Sequence, residues 1–229
     1  MIIVLDLDDT LYDELSFVKS GFKVVSFWLY QNFSIPQEET FSFMIEELFQ
    51  KGRGKIFDSL LEKYSIYTKQ NLKKCISLYR KHKPDIKLYP EAEDFLERFK
   101  KYPVYLVTDG NKTVQKNKII SLGLDKKVKS YILTHCYGIK NAKPSPYCFL
   151  KICEKEKVSP LEVVCIGDNP YKDFVNLKTL GFKTIRILKG QYKDIFLEEK
   201  FEAEYRFNSL SEITEEFLMK ITSKNLEGQ

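Results

Sequence analysis

Short, continuously apolar runs punctuate the chain, and between them apolar residues recur at helical spacing. The runs are Ile2-Ile3-Val4-Leu5, Val104-Tyr105-Leu106-Val107, Tyr131-Ile132-Leu133, Val163-Val164-Cys165-Ile166 and Thr184-Ile185-Arg186-Ile187-Leu188, with a weaker candidate from Glu204 to Phe207. Short runs without polar alternation predict strands buried on both faces, as in a parallel sheet. Helix ends are readable between them. Gly123 and Gly181 follow helical stretches where a left-handed residue is wanted. Ser159-Pro160-Leu161-Glu162 and Ser209-Leu210-Ser211-Glu212 have the spacing of capping boxes. Alternation of this kind predicts an open α/β sheet with helices on both faces and right-handed crossovers.

The stretch from Asp13 to Leu88 breaks that rhythm, because it is helical throughout. Val18, Phe22, Val25 and Leu29 form one apolar stripe, and Phe41, Met44, Ile45 and Leu48 a second. Ile56, Leu60, Leu61 and Tyr64 form a shorter third, and Leu72, Cys75, Ile76 and Tyr79 a fourth. Four amphipathic helices can bury such stripes against one another. The expected division is therefore an α/β core of residues 1–12 and 89–229, interrupted by a helical bundle at 13–88. The aromatic residues of that insertion (Phe17, Phe22, Phe27, Trp28, Phe41, Phe43) are explained first by bundle packing. The polar tail after Thr222 is expected to fray.

Composition narrows the function classes. Of 229 residues, 43% are hydrophobic and 30% charged, which excludes a disordered chain. The net charge of +5 is spread as Lys interleaved with Glu, so no basic cluster for nucleic acid is expected. Five cysteines with no CxxC pair suit reduced, buried thiols, and two histidines exclude a His-rich metal site. The apolar start is too short for a signal peptide, and no run approaches the roughly 18 residues that span a bilayer. A cytoplasmic monomer or homodimer without a membrane partner is the expectation.

In an open α/β sheet, ligands bind beyond the carboxyl ends of the strands. There this chain places Asp6-Leu7-Asp8-Asp9-Thr10, Thr108-Asp109-Gly110 and Gly167-Asp168-Asn169, with Asp173 close behind. Carboxylates converging on one edge repel each other unless a cation is present. A hard divalent ion with oxygen ligands resolves this, and Mg²⁺ leaves room for a substrate phosphate. Asp6 and Asp8 are two apart in an extended segment, so their side chains are expected to project to one side. One can attack phosphorus while the other protonates the leaving oxygen and later activates water. The two-step route suits phosphate monoesters, whose hydrolysis leaves roughly 10²¹-fold to gain. Lys143 and Thr108 are candidates to stabilise the developing charge.

These segments resemble the four motifs of the haloacid dehalogenase superfamily. Asp6-Leu7-Asp8-Asp9-Thr10 looks like its DxDxT motif and Thr108 like its second. Lys143-Pro144-Ser145-Pro146, within Gly138 to Phe149, is similar to its third. Gly167-Asp168-Asn169-Pro170-Tyr171-Lys172-Asp173 is similar to its fourth, GDxxxxD. Four motifs in the family's order extend the resemblance over nearly the whole chain. It implies a Rossmann-like core, a C1-type helical cap at 13–88, and a Mg²⁺-dependent phosphatase acting on small phosphorylated metabolites. Nucleotide, sugar and phospho-acid monoesters are all compatible. Carried over by position, Asp6 is the nucleophile and a Mg²⁺ ligand, and Asp8 the general acid/base whose backbone carbonyl also ligates Mg²⁺. Thr108 and the Asp109 amide hold phosphoryl oxygens, and Lys143 neutralises nucleophile and phosphate. Asp168 ligates Mg²⁺, while Asp173 acts through water or by orienting Lys143. Asp9 and Thr10 stabilise the first motif's turn. Asp109 stands where many members carry Asn, and its side chain is assigned no catalytic role.

Other features have plainer readings. Pro144 and Pro146 set the start of the next helix, and His135 is a structural histidine. Tyr12 shapes the entrance. Gly52-Arg53-Gly54-Lys55 does not follow a strand, so it is no nucleotide P-loop; Arg53 and Lys55 form a candidate substrate loop or an ordinary solvated turn. The acid at Asp8 favours a phosphatase over a dehalogenase. A phosphomutase uses the same pair, and a non-catalytic binding protein on this fold is the remaining alternative.

Overall fold

The helical stretch after the first strand forms a unit of its own. In the computed structural model, which describes residues 1–223, the chain divides into Leu15–Ile86 and a second unit made of Met1–Glu14 with the chain from Lys87 on. Of the polar tail, Ser223 alone lies within the described residues.

The inserted unit contains α1 (Glu14–Phe33), α2 (Gln37–Lys51), α3 (Ile56–Lys63) and α4 (Lys69–Lys81). The α1 stripe is the best covered, with Phe17, Val18, Phe22, Val25 and Leu29 buried. Phe22 stacks edge-on to Phe57 with ring centres 6.1 Å apart, and Phe57 lies 5.6 Å from Tyr79. Gly21 lets α1 approach the Tyr79 ring, since a Cβ there would collide with it. Of the second and fourth predicted stripes only Met44 and Cys75 are fully buried, and Phe27 is about half exposed. A unit this small has too little interior to cover every apolar face.

The larger unit is built on six parallel strands: β1 (Ile2–Leu5), β2 (Val104–Thr108), β3 (Ser130–Leu133), β4 (Val163–Gly167), β5 (Lys183–Ile187) and β6 (Tyr205–Phe207). Their order is β3-β2-β1-β4-β5-β6. Every residue of β1, β2 and β4 is buried, which is why these segments lack polar alternation. Helices α5 (Pro90–Arg98), α6 (Lys112–Ser121), α7 (Tyr147–Glu156) and α8 (Glu215–Ser223) complete the fold. One sheet face packs Ile2, Val4, Tyr105, Val107 and Cys165 against Cys148, Phe149, Ile152 and Cys153 of α7. Alternation sends Ile3, Leu5, Leu106 and Ile166, equally buried, to the other face.

The crossover from β4 to β5 departs from the expected strand–helix alternation. It consists of turns and one 3-10 turn, Lys178–Leu180, closed by Gly181 at φ 90°. Asp173 ties this segment down, its carboxylate accepting from the Asn169 amide at 2.9 Å and its own amide donating to the Asn169 carbonyl at 3.0 Å. Phe174, Leu177 and Phe182 are buried along this segment without a regular α-helix. Ser159–Glu162 makes the expected capping box, though on a 3-10 turn. At the second predicted box, Ser209 caps Ser211, while Glu212 accepts from Asn208. Pro146 flanks α7 as its N-cap residue and does not enter the first turn. All five cysteines are free; four are buried and Cys136 is exposed. No helix among the described residues is long and apolar enough to cross a membrane.

Candidate active site

The strand order reverses between β1 and β4, and there the acidic tips meet. Leu5 pairs with Leu106 on one side and Ile166 on the other, so β1, β2 and β4 finish at one edge. Carboxylate oxygens of Asp6, Asp168 and Asp173 all lie within 4.8 Å of one another. Lys143 reaches into this group from the loop before α7. Its ammonium hydrogen-bonds Asp6 and lies 2.6 Å from Asp173 Oδ1. A small cavity lined by Val4, Asp6, Val107, Lys143, Cys165 and Asp173 lies beside the pair.

Charge explains how these groups behave. Burial pushes the Asp6 carboxyl up to about 7, against the opposing pull of Lys143 and with help from Asp173 and Asp8. Asp168 is raised well above the ordinary range by burial, then by Asp173 and Asp6. For Lys143, burial works against its charge, but Asp173 and Asp6 outweigh burial and raise it. One lysine among three carboxylates, Asp168 and Asp173 buried and Asp6 partly so, leaves an excess of negative charge, which a divalent cation would neutralise.

Asp8 has a separate set of partners, although it lies two residues from Asp6. Lys118 Nζ is 2.7 Å from its Oδ1, Tyr12 donates to the same oxygen at 2.5 Å, and Gln115 donates to Oδ2 at 2.8 Å. The same Gln115 amide nitrogen is 2.6 Å from Thr108 Oγ1 and so links the end of β2 to Asp8. Burial alone would raise the Asp8 carboxyl, yet the Lys118 charge and these hydrogen bonds hold it below the ordinary value. Tyr12 corrects the sequence reading, since it is wholly buried and cannot shape an entrance. Thr10 is a second correction. Its buried hydroxyl has no hydrogen-bond partner, and the turn is held instead by the Leu11 amide on the Leu7 carbonyl at 3.0 Å and the Glu14 amide on Asp9 Oδ1 at 2.9 Å.

The side chain of Asp109 also has a structural task. Its Oδ1 accepts from Thr134 Oγ1 at 2.6 Å and from the Lys143 backbone amide at 3.1 Å, so it anchors the loop that carries Lys143. Gly167 is required by close approach, because a Cβ there would run into the Asp173 carboxylate. Arg53 and Lys55 lie exposed between α2 and α3, in the inserted unit, and His135 is half-buried on the 3-10 turn Thr134–Tyr137.

Three residues of this neighbourhood lie outside the four motifs. Gln115 and Lys118 are three apart on α6, buried where a helix stripe would ordinarily be apolar. Arg186, wholly buried in β5, donates to the Asp168 carbonyl at 3.0 Å, to Glu202 at 2.7 Å and to the Tyr192 carbonyl at 2.6 Å. A charged residue inside an apolar strand was the available signal.

Residues 1–180 match the family model for haloacid dehalogenase-like hydrolases. The chain belongs to that family. It is 28% identical over 221 residues to the glyceraldehyde 3-phosphate phosphatase of Pyrococcus furiosus, covering 93% of this chain and 91% of the relative. To the enzyme of the same name from Methanocaldococcus jannaschii it is 30% identical over 229 residues, covering 93% and 95%. A 2-haloacid dehalogenase from Pseudomonas syringae superposes with a TM-score of 0.64 at 20% identity, covering 97% of this chain and 98% of the other, which speaks for the shared fold alone. Family and relatives together make this haloacid dehalogenase-like protein a phosphoric monoester hydrolase.

Proposed function

We propose that this hydrolase cleaves small phosphorylated sugars, triose phosphates such as glyceraldehyde 3-phosphate among them, through a phospho-aspartyl enzyme formed on Asp6. The observation that carries the reading is the single cluster of Asp6, Lys143, Asp168 and Asp173 at the β1/β4 edge, flanked by Asp8 and Thr108. An Asp6 oxygen attacks phosphorus as the ester P–O bond breaks, and the departing oxygen takes the proton that Asp8 binds once the substrate's negative charge has entered beside it and offset the pull of Lys118. Asp8 then accepts a proton from water, which attacks the acyl-phosphate, releases inorganic phosphate and restores Asp6. Lys143 and the Thr108 hydroxyl stabilise the phosphoryl oxygens in both steps.

The donor set fits Mg²⁺. All its oxygens are hard carboxylate ligands, and their crowding leaves negative charge to be neutralised. Both Asp173 oxygens are already engaged, one by Lys143 and one by the Asn169 amide. Asp6 and Asp168, with the Asp8 backbone carbonyl, would therefore hold the ion, and Asp173 orients Lys143. Bound there, Mg²⁺ supplies charge neutralisation between nucleophile and phosphate. The inserted helices act as a cap in this reading, and Arg53 and Lys55 are candidates to contact the non-reacting part of the substrate.

The test is a panel of triose, pentose and hexose phosphates, nucleoside monophosphates and phospho-acids, read as free phosphate with Mg²⁺ and no bisphosphate added. Triose phosphates should show the highest kcat/KM. A preference for nucleotides, or no release without a bisphosphate, would overturn the substrate assignment.

Removing the metal has a pH-dependent consequence. The raised Asp6 and Asp168 carboxyls, with Asp9 pushed up to about 6 by burial, lie above the ordinary value of 3.8. Between about pH 4 and 7 the metal-free native state therefore binds more protons than the unfolded chain, and stability falls as pH rises. With EDTA, Tm should drop from pH 5 to pH 8 by several degrees, each 1 kcal/mol being about 2–4 °C for a chain this size. Added Mg²⁺ should raise Tm more at pH 8 than at pH 5. Equal increments at the two pH values would contradict the carboxylate site.

A further inference from the structure

Lys118 occupies an expensive position. It projects from α6 into the interior, with its side chain 3% exposed, where an uncompensated ammonium is strongly disfavoured. A residue serving only to fill the core would be apolar. Its charge has Asp8 Oδ1 at 2.7 Å and Glu14 Oε1 at 3.5 Å, and it lies 5.9 Å from the centre of the Tyr12 ring. Tyr12 donates to the oxygen that Lys118 holds, while Gln115 takes the other oxygen and ties it to Thr108. One oxygen of Asp8 is thus held by two donors, and the other is linked through Gln115 to Thr108 at the end of β2. Asp8 retains 22% of its side-chain exposure.

We propose that Lys118 is a positioning residue, which with Tyr12 and Gln115 clamps the Asp8 carboxyl in the orientation that passes a proton to the leaving group. The inference rests on the role proposed above for Asp8. A general acid must sit within hydrogen-bond reach of the atom it protonates, and a carboxyl free to rotate about two bonds spends most of its time elsewhere. Lys118 acts through Asp8, whose Oδ1 it holds, and is assigned no contact with the substrate. Losing it should therefore harm the steps that need Asp8 and leave substrate binding intact.

The leaving group provides the readout. An alkyl phosphate expels a basic alkoxide that needs the acid, whereas p-nitrophenolate leaves without one. The experiment compares alcohol or phenol release in the first turnover, with Mg²⁺ present, for wild type, Lys118→Met, Lys118→Arg and Asp8→Asn. Lys118→Met should slow alkyl ester cleavage about 10- to 100-fold and p-nitrophenyl cleavage by less than about threefold, with KM within about twofold. Lys118→Arg, which keeps a buried cation, should recover most of the loss. Asp8→Asn should show the same leaving-group contrast, larger still. If Asp8→Asn shows the contrast and Lys118→Met slows both esters equally or neither, the clamp is wrong and the Asp8 role survives. If Asp8→Asn shows no contrast, the Asp8 role fails and the clamp falls with it. Should Lys118→Met not fold, Tyr12→Phe removes one hydroxyl from the same grip and should slow the alkyl ester alone, by about three- to tenfold. An unchanged Tyr12→Phe enzyme would overturn the clamp.

Discussion

An Asp6→Asn variant is expected to lose phosphate release by at least about 10³-fold while its melting temperature stays the same or rises. The amide cannot form the acyl-phosphate, because its nitrogen lone pair is delocalised and its neutral oxygen is a poor nucleophile. The change is nearly isosteric, so Lys143 keeps an oxygen to hydrogen-bond and Asp173 beside it. It also deletes one of three carboxylates lying within 4.8 Å, relieving repulsion in the folded state. Activity and stability should therefore move in opposite directions, which simple misfolding would not produce. Hydrolysis of p-nitrophenyl phosphate and a thermal melt of the same preparation measure both. Wild-type turnover in Asp6→Asn would eliminate this residue as nucleophile.

The second large effect concerns stability. Arg186→Met should destabilise the fold by about 3–5 kcal/mol, or roughly 10 °C in Tm, because it breaks a buried ion pair from one side. Glu202 would be left as a buried carboxylate with only the Leu197 amide at 3.1 Å, its other oxygen already lacking a partner. The carbonyls of Asp168 and Tyr192 would lose donors as well. Pairing the change with Glu202→Leu removes the stranded charge, so the double variant should regain at least about half of the loss. Urea unfolding of the two single variants and the double variant closes the cycle. Strict additivity would show that Arg186 and Glu202 do not act as a pair. Since Arg186 also holds the Asp168 backbone, Arg186→Met protein that still folds should need more Mg²⁺ for half-maximal activity.

Arg186 illustrates where a one-dimensional reading stops. Ile185 and Ile187 mark its strand, and nothing beside the arginine in the sequence says what pairs with its charge. What makes it tolerable is Glu202, sixteen positions later, in a segment with no regular structure. Lys118 is similar. On a helix of modest amphipathicity one more lysine reads as surface, and only the folded chain brings it to Asp8 from a sequence separation of 110. Tyr12 and Thr10 were misread for the opposite reason. Their neighbourhood was known, but which way each side chain turned depended on Asp9, at φ 54°, reversing the chain after β1.

Strands, inserted helices and acidic tips were all legible in the order of residue types. Those follow from local physics: unbroken apolar runs demand burial on both faces, and carboxylates placed directly after them must end at a sheet edge. Which groups each carboxylate meets was settled by packing. Asp6 and Asp8, two residues apart, received different lysines, Lys143 from the loop before α7 and Lys118 from α6. Partnership at 2.7 Å depends on how helices seat against a sheet, and a string of residue types does not encode that seating until the core has packed.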